Sequence, residues 1–388
     1  MSWPVVKFRD IAKVVTGATP KKKDELYDGE VPFVTPGDLG LVSSISNASR
    51  TLTQEGADSI RPVPTGSVMV CCIGATIGKV GIAEKTVATN QQINSLIIDE
   101  SKAFPKYVFY FCLTLKHKLM AASSSTTMPI VNKTSFSEFE IPLPPLAEQK
   151  RIAAILDKAD AIRQKRKQAI DLADEFLRSV FLDMFGDPVT NTKGWEVHAL
   201  GKLCEDLFLG LTSKVDYVDD DSGYPLVRAK DINTGELKFD DVKFISESQH
   251  KKLTKNHLTK KGDLLVSKSG TLGTCAIVRT DREFSTYESI FTVRPIDGLL
   301  NVNYLIHLLQ NNSFKAKLIG NKVGGTVAHL NLKMFRDFEL GVPTFSQQEA
   351  FSKKIEKVEM KLSRYRESLK KSEYLFNSLS QKAFSGEL

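Results

Sequence analysis

Phe136-Ser-Glu-Phe139-Glu140-Ile141-Pro-Leu143-Pro144, a third of the way along the chain, recurs near its end as Phe335-Arg-Asp-Phe338-Glu339-Leu340-Gly-Val342-Pro343. Working outward, Thr127 and Asn132 precede the first copy at the spacing at which Thr326 and Asn331 precede the second. Ala75-Thr76-Ile-Gly78 answers Gly270-Thr271-Leu-Gly273. Pro32-Phe-Val-Thr-Pro-Gly-Asp38 answers Pro225-Leu-Val-Arg-Ala-Lys-Asp231, and Trp3-Pro-Val answers Trp195-Glu-Val. The offset grows from about 192 to about 199 residues, so the copies differ by small insertions only. A repeat this long is a domain rather than a solenoid unit.

A chain of 388 residues has room for two or three domains, each with its own core. Hydrophobic content of 41% and charged content of 26% fit a globular protein and argue against a disordered one. No apolar run reaches the length of a membrane span and MSWPVVKFRD does not read as a signal peptide, so the cytoplasm is expected. Cys71, Cys72, Cys112, Cys204 and Cys275 form no C-x-x-C pair and read as reduced, buried thiols. The net charge of +7 permits a polyanionic partner without requiring one.

Each copy predicts the same layout. Residues 1–145 and 187–345 carry short β-branched runs bounded by Gly and Pro, with one helical stretch each at Tyr107–Leu119 and Val302–Leu318. They read as α/β domains with mixed, irregular and largely antiparallel sheets. Residues 146–186 and 346–388 read as long helices. In the second, Ile355, Leu362, Leu369, Phe376 and Ala383 recur at sevens, with Phe351, Val358, Tyr365, Ser372 and Leu379 at the other seam position. The first starts after Pro144-Pro145 and stops at Gly186-Asp-Pro188. Its seam is expected at Ile152, Ala159, Arg166, Ala173 and Val180 with Ile155, Ile162, Ala169 and Phe176. Leu156, Ile170, Leu177 and Met184 then either thicken the helix pair or face a partner. A helix of ~38 residues spans ~57 Å, longer than a domain of this size offers as a surface. The helices are therefore expected to pair as an antiparallel coiled coil, relating the domains by a pseudo-twofold axis.

Catalytic patterns are wanting. The histidines His117, His198, His250, His257, His307 and His329 show no metal-ligand spacing, and His250 and His257 read as surface residues of a Lys-rich stretch. Gly74-Ala-Thr-Ile-Gly78-Lys79-Val80 is one residue short of a phosphate loop and has Val where Ser or Thr must bind magnesium. Asp241-Val-Lys243 is half of a nuclease pattern with no upstream acid. Basic and polar side chains in turn-like segments fit DNA better, because Lys and Arg neutralise phosphates and Gln and Arg can read base edges. The candidates are Lys21, Lys22, Thr35, Lys79, Gln91, Arg228, Lys230, Lys268, Thr271 and Lys322. Asp38 and Asp231 are expected to brace their own loops.

Pro142-Leu-Pro-Pro-Leu-Ala-Glu-Gln149-Lys-Arg-Ile-Ala-Ala-Ile155, entering a long helix, closely resembles the start of the central helix in DNA-specificity subunits of type I restriction–modification enzymes. Pro343-x2-Ser346-Gln347-Gln348-Glu349 is a looser second copy. The resemblance covers essentially the whole chain. It implies two target-recognition domains that each read half of a split, asymmetric site on double-stranded DNA, with the paired helices holding the halves at a fixed spacing. It further implies a non-catalytic chain on which two methylase subunits dock for adenine methylation. Restriction subunits join for ATP-dependent cleavage, and S-adenosylmethionine, ATP and magnesium belong to those partners. A methylation-only system and a protein-binding coiled-coil scaffold are the alternative readings.

Overall fold

The computed structural model describes residues 3–21, 24–40, 44–123, 129–212, 214–219, 222–232, 235–268, 273–319 and 330–388. The chain divides into two compact units that do not follow chain order. One comprises residues 1–168 and 366–388, the other residues 169–365.

In the first unit a five-stranded sheet runs in the order Ala12–Thr16, Ile93–Ile98, Val68–Cys71, Val80–Ala83, Ser44–Ile45. It is antiparallel except at its last pair. A second sheet orders Thr51–Leu52, Tyr27–Val34 and Ala88–Thr89, the last pair parallel. The second unit has the corresponding sheets. One is the antiparallel set Cys204–Leu209, Ile290–Pro295, Leu264–Ser267 and Cys275–Ile277. The other is Tyr217–Val218, Lys243–Ile245, Tyr224–Val227 and Ser285–Thr286, again closed by a parallel pair. The mixed, mainly antiparallel sheets follow from turns too short for crossover helices.

The opening motif does the same work in both units. Val5–Lys7 pairs with Glu140–Pro142, and Glu196–Ala199 pairs with Glu339–Val342. Asn132 and Asn331 each cap a short helix, accepting from the amides of Ser135 and Met334 at 2.9 and 2.8 Å. Tyr107 and Tyr304 donate their hydroxyls to the carbonyls of Pro142 and Gly341 at 2.7 and 2.9 Å. The helical stretches differ from expectation, because each is broken in two. Pro105–Leu113 gives way to Lys116–Ala121 after Thr114, and Val302–Gln310 to Asn312–Ile319. Asn311 is extended, and its Oδ1 accepts from the amide of Phe314, so it starts a new helix rather than continuing the old one.

The long helices run Leu146–Phe185 and Phe345–Ser385. Gly186, at φ 75°, ends the first, and the Trp195 indole donates to the freed carbonyl of Phe185 at 2.8 Å. Within the first unit Arg151 donates to the carbonyl of Leu388 and Arg166 to that of Ser368, both at 2.9 Å. Between these points Arg163 stacks 4.5 Å over the Phe376 ring. Rising numbers on one helix meet falling numbers on the other, so the segments run antiparallel. Within the second unit Phe185 meets Phe351 at 5.3 Å between ring centroids, while Leu177 and Val180 face Ile355 and Val358, the same sense.

The seam of the second helix lies where its heptads put it. Ile355, Leu362 and Phe376 are buried, and Val358, Leu369 and Leu379 are partly so; Tyr365 is exposed. The first helix corrects the expectation. Ile152 is buried and Ile155 half-buried, but Ile162 is 49% and Phe176 55% exposed. The inward stripe is Ile152, Leu156, Asp160, Arg163, Arg166, Ile170, Ala173, Leu177, Phe181 and Phe185. That stripe keeps to the ~3.6-residue period of an undistorted helix rather than the heptad's 3.5. This helix packs on globular cores as well as on its partner. Ile152, Ala153 and Leu156 join the first unit's core with Tyr107, Phe111 and Phe136. Leu177, Phe181 and Phe185 join the second unit's core with Phe291, Tyr304 and Phe335. Leu156 and Leu177 therefore thicken the core and do not face a partner.

Candidate nucleic-acid interface

Strand register gathers the candidate loops on one rim of each unit. In the first, Cys71 lies opposite Ile93, Val70 opposite Val80, Thr16 opposite Asn94, and Val34 beside Thr89. The loops of residues 17–21, 35–40, 72–79 and 90–92 thus leave the same end of the sheets. Backbone bonds tie them together. Ala18 N–H donates to Thr89 O at 2.9 Å, Cys72 N–H to Gln92 O at 2.8 Å, and Asn90 N–H to Val34 O at 3.1 Å. Gly17 lies so close that an added Cβ would fall 2.2 Å from the Thr89 carbonyl oxygen. The second unit repeats this. Leu211 N–H donates to Thr286 O, Lys268 N–H to Ser289 O and Tyr287 N–H to Val227 O, at 2.7, 2.8 and 2.9 Å. A Cβ on Gly210 would fall 2.3 Å from Tyr287 O.

Asp38 and Asp231 brace their loops in matching geometry. Thr35 N–H and Arg228 N–H each donate to the carboxylate three residues on, at 2.8 Å. Asp38 also accepts from the Thr35 hydroxyl at 2.7 Å and the Ser49 amide at 2.8 Å. Burial pushes its carboxyl up, but the amides and hydroxyls of Ser49 and Thr35 together more than offset this and hold it below the ordinary value of 3.8.

The candidates fall into distinct environments. Lys21 and Gln91 are exposed on the first rim. Thr35 has its hydroxyl committed to Asp38. Lys79 donates its ammonium to Pro36 O at 3.1 Å, with its stem along Gly40. On the second rim Arg228 donates to Asp241 O at 3.1 Å, and Lys230 to the same oxygen at 3.0 Å while also pairing with the Asp241 carboxylate. Lys268 is half-buried and has no ion pair among the described residues. Lys22, Thr271 and Lys322 lie outside the described residues. The cations are thus partly held by the loops they decorate, which fixes their positions. The pair of Lys230 with Asp241 is exposed and therefore weak, so a phosphate can compete for the ammonium.

The phosphate-loop look-alike is a hairpin. Residues 72–79 join the antiparallel strands Val68–Cys71 and Val80–Ala83 and lead into no helix, so no helix N-terminus faces a phosphate there. Asp241, the acid of the nuclease-like tripeptide, is occupied by Lys230. Among the described residues no group of three His, Cys, Asp or Glu side chains is placed to hold a metal ion, and no helix is long and apolar enough to cross a membrane. The reading of His250 as a surface residue is corrected. It is 2% exposed, its Nδ1 lies 2.9 Å from the Ser285 hydroxyl, and its ring stacks 3.8 Å from that of Tyr224. The Lys residues around it concealed that His250 is the buried residue of the helix Glu247–Thr254. His257 is at the surface, 3.0 Å from Asp206.

Two buried amides escaped the sequence reading. Gln149 and Gln348, both 0% exposed, anchor the starts of the long helices. Each Oε1 accepts a loop amide, from Phe104 and Asn301 respectively, at 2.8 Å. Each Nε2 donates to the carbonyl five residues back, Pro144 or Pro343, at 2.8 Å, and to a second loop carbonyl. Their signal was present in the aligned copies, since both follow the Pro boundary at the same distance.

A family model described as the type I restriction modification DNA specificity domain matches residues 1–172 and 192–370, one match for each copy of the repeat. The chain belongs to that family. Over 267 residues, 63% of this chain and 61% of the relative, it is 28% identical to the type I restriction enzyme MjaIX specificity subunit of Methanocaldococcus jannaschii. The MjaVIII specificity subunit of the same organism is 22% identical over 92% of this chain and 86% of its own length. Among solved structures, the S subunit of a type I restriction–modification system from M. genitalium aligns with a TM-score of 0.58 at 16% identity. That alignment covers 98% of this chain and 96% of the other, a likeness of fold. Membership makes the chain a specificity subunit of such systems rather than a catalytic one. The scaffold reading is not favoured.

Proposed function

We propose that the chain reads a bipartite, asymmetric site on double-stranded DNA, one half with each rim, while the long helices set the gap between the halves. The observation that carries this is the repeated rim: two loop clusters of the same backbone plan and different side chains. Equal plans suit equal docking on a duplex, and different side chains suit different half-sites. Helices of 40 and 41 residues are each ~60 Å long, more than one ~34 Å turn of duplex. Two methylase subunits dock on the chain and methylate adenine on each strand. With restriction subunits the assembly cleaves DNA, and S-adenosylmethionine, ATP and magnesium are bound by those partners, in the cytoplasm. Exposed apolar side chains on the long helices, Ile162, Leu172 and Phe176 on the first and Met360 and Leu375 on the second, support docking there.

Methylome sequencing of cells expressing the chain with its co-encoded methylase, against cells lacking the chain, tests the reading. A split adenine motif that disappears with the chain is expected. Persistence of the motif without the chain would overturn it.

A further inference from the structure

Between the strands Ala88–Thr89 and Ile93–Ile98 lie three residues, Asn90-Gln91-Gln92. Between Ser285–Thr286 and Ile290–Pro295 lie three more, Tyr287-Glu288-Ser289. The two triplets share their backbone bonds. Asn90 N–H donates to Val34 O at 3.1 Å and Tyr287 N–H to Val227 O at 2.9 Å. Ile93 N–H closes onto Asn90 O at 3.1 Å and Ile290 N–H onto Tyr287 O at 2.9 Å. Gly17 N–H and Gly210 N–H brace the following strand residues, Ile93 O and Ile290 O, at 3.1 and 3.0 Å. The middle residue therefore occupies the same point of the rim in each unit, on backbone held from both sides, and both middle residues are exposed.

The third residues are turned back into the rims. Gln92 Oε1 accepts from Asn90 Nδ2 at 3.0 Å, and Ser289 Oγ accepts from the Ala229 amide at 3.1 Å. The middle residues differ in polarity. Gln91 Oε1 accepts the Thr19 hydroxyl at 2.7 Å, which leaves its amide nitrogen as the outward group, a pair of donors. Glu288 offers acceptors only and has no ion pair among the described residues. A carboxylate repels phosphate, so on a rim that meets DNA it suits a base amino group instead.

We propose that Gln91 and Glu288 are the matched base-reading position of the two units. Gln91 donates to the acceptor edge of guanine, N7 and O6, and Glu288 accepts from the N4 amino group of cytosine. The inference rests on the DNA-reading function above and adds the residue and the polarity of readout.

The test compares the wild-type chain with Gln91→Glu, Glu288→Gln and Thr19→Ala, each expressed with the co-encoded methylase. Methylomes are read, and the purified methylase–specificity assembly is tested on duplexes carrying every base at each target position. Gln91→Glu is expected to move the preferred base at one position of one half-site, and Glu288→Gln at one position of the other, by roughly 5- to 150-fold. Thr19→Ala frees the Gln91 oxygen to accept, so adenine should become tolerated where guanine was preferred. Unchanged preferences in all three variants, or a uniform loss over all positions, would overturn the proposal. A wild-type assembly with no bipartite motif and no sequence-selective binding would instead overturn the function on which it rests.

Discussion

A buried carboxamide that makes three hydrogen bonds to backbone has no apolar substitute of equal worth. Replacing Gln149 or Gln348 by Leu leaves a loop amide and two carbonyls buried without partners. The expected cost is ~2–4 kcal/mol, read as a lower urea midpoint with unchanged slope. A surface control such as Lys133→Gln is expected to stay within ~0.5 kcal/mol. His250 makes a second prediction, for pH. Burial holds its imidazole below the ordinary value of 6.5, with Glu283 and Glu247 opposing through the charged form. The folded chain then binds fewer protons there than the unfolded one. Its stability is complete above ~6.5 and declines as pH falls toward the folded value. Melting temperatures of wild type and His250→Gln measured from pH 8 to 5 should converge as pH falls; a constant gap would show that His250 does not titrate between the states. Cys72, Cys204 and Cys275 offer no comparable handle in neutral solution, since burial pushes their thiols up to about 12.

At the scale of the element, the two long helices separate what periodicity can and cannot tell. The second keeps its heptads although it too joins both cores, through Phe351, Ile355 and Leu362 in one and Phe376 and Ala383 in the other. The first, packed on the same two cores, has an inward stripe that drifts off the heptad and leaves Ile162 and Phe176 in solvent. Mutation should follow the structure rather than the pattern. Phe351→Ala removes a fully buried ring packed on Phe181 and Phe185, and is expected to cost ~3–5 kcal/mol. Ile162→Ser should cost under ~0.5 kcal/mol in the isolated chain, although the sequence pattern ranks the two sites alike. Chemical denaturation of both variants decides between stripe and heptad. The broken helices at Thr114 and Asn311 teach the same lesson, because an apolar run does not report where a side chain such as Asn311 restarts the backbone.

At the scale of the molecule, one compact unit is assembled from distant parts of the chain, residues 366–388 completing the unit that holds residues 1–168, while the other is the continuous stretch 169–365. A truncation before Phe376 therefore takes part of the first core with it. If the helices set the gap between half-sites, inserting one heptad into both should keep DNA affinity and change the preferred gap, measured with duplexes of graded spacer length. An unchanged gap would remove their role as a ruler. The sequence by itself determined the duplication, the long helices with their proline and glycine limits, the mixed sheets and the family, because these rest on chain-local chemistry and on comparing one copy with the other. It also marked Asp38 and Asp231 as loop braces, since a carboxylate would repel a phosphate. Only the tertiary structure decided which apolar residues of the first helix turn inward, that His250 is buried, that Gln149 and Gln348 anchor the helices, and that Gln91 and Glu288 stand at one position. Those facts depend on which surfaces meet across 35 or more residues of chain, as His250 meets Ser285 and Gln149 meets Phe104, and no local period encodes that meeting.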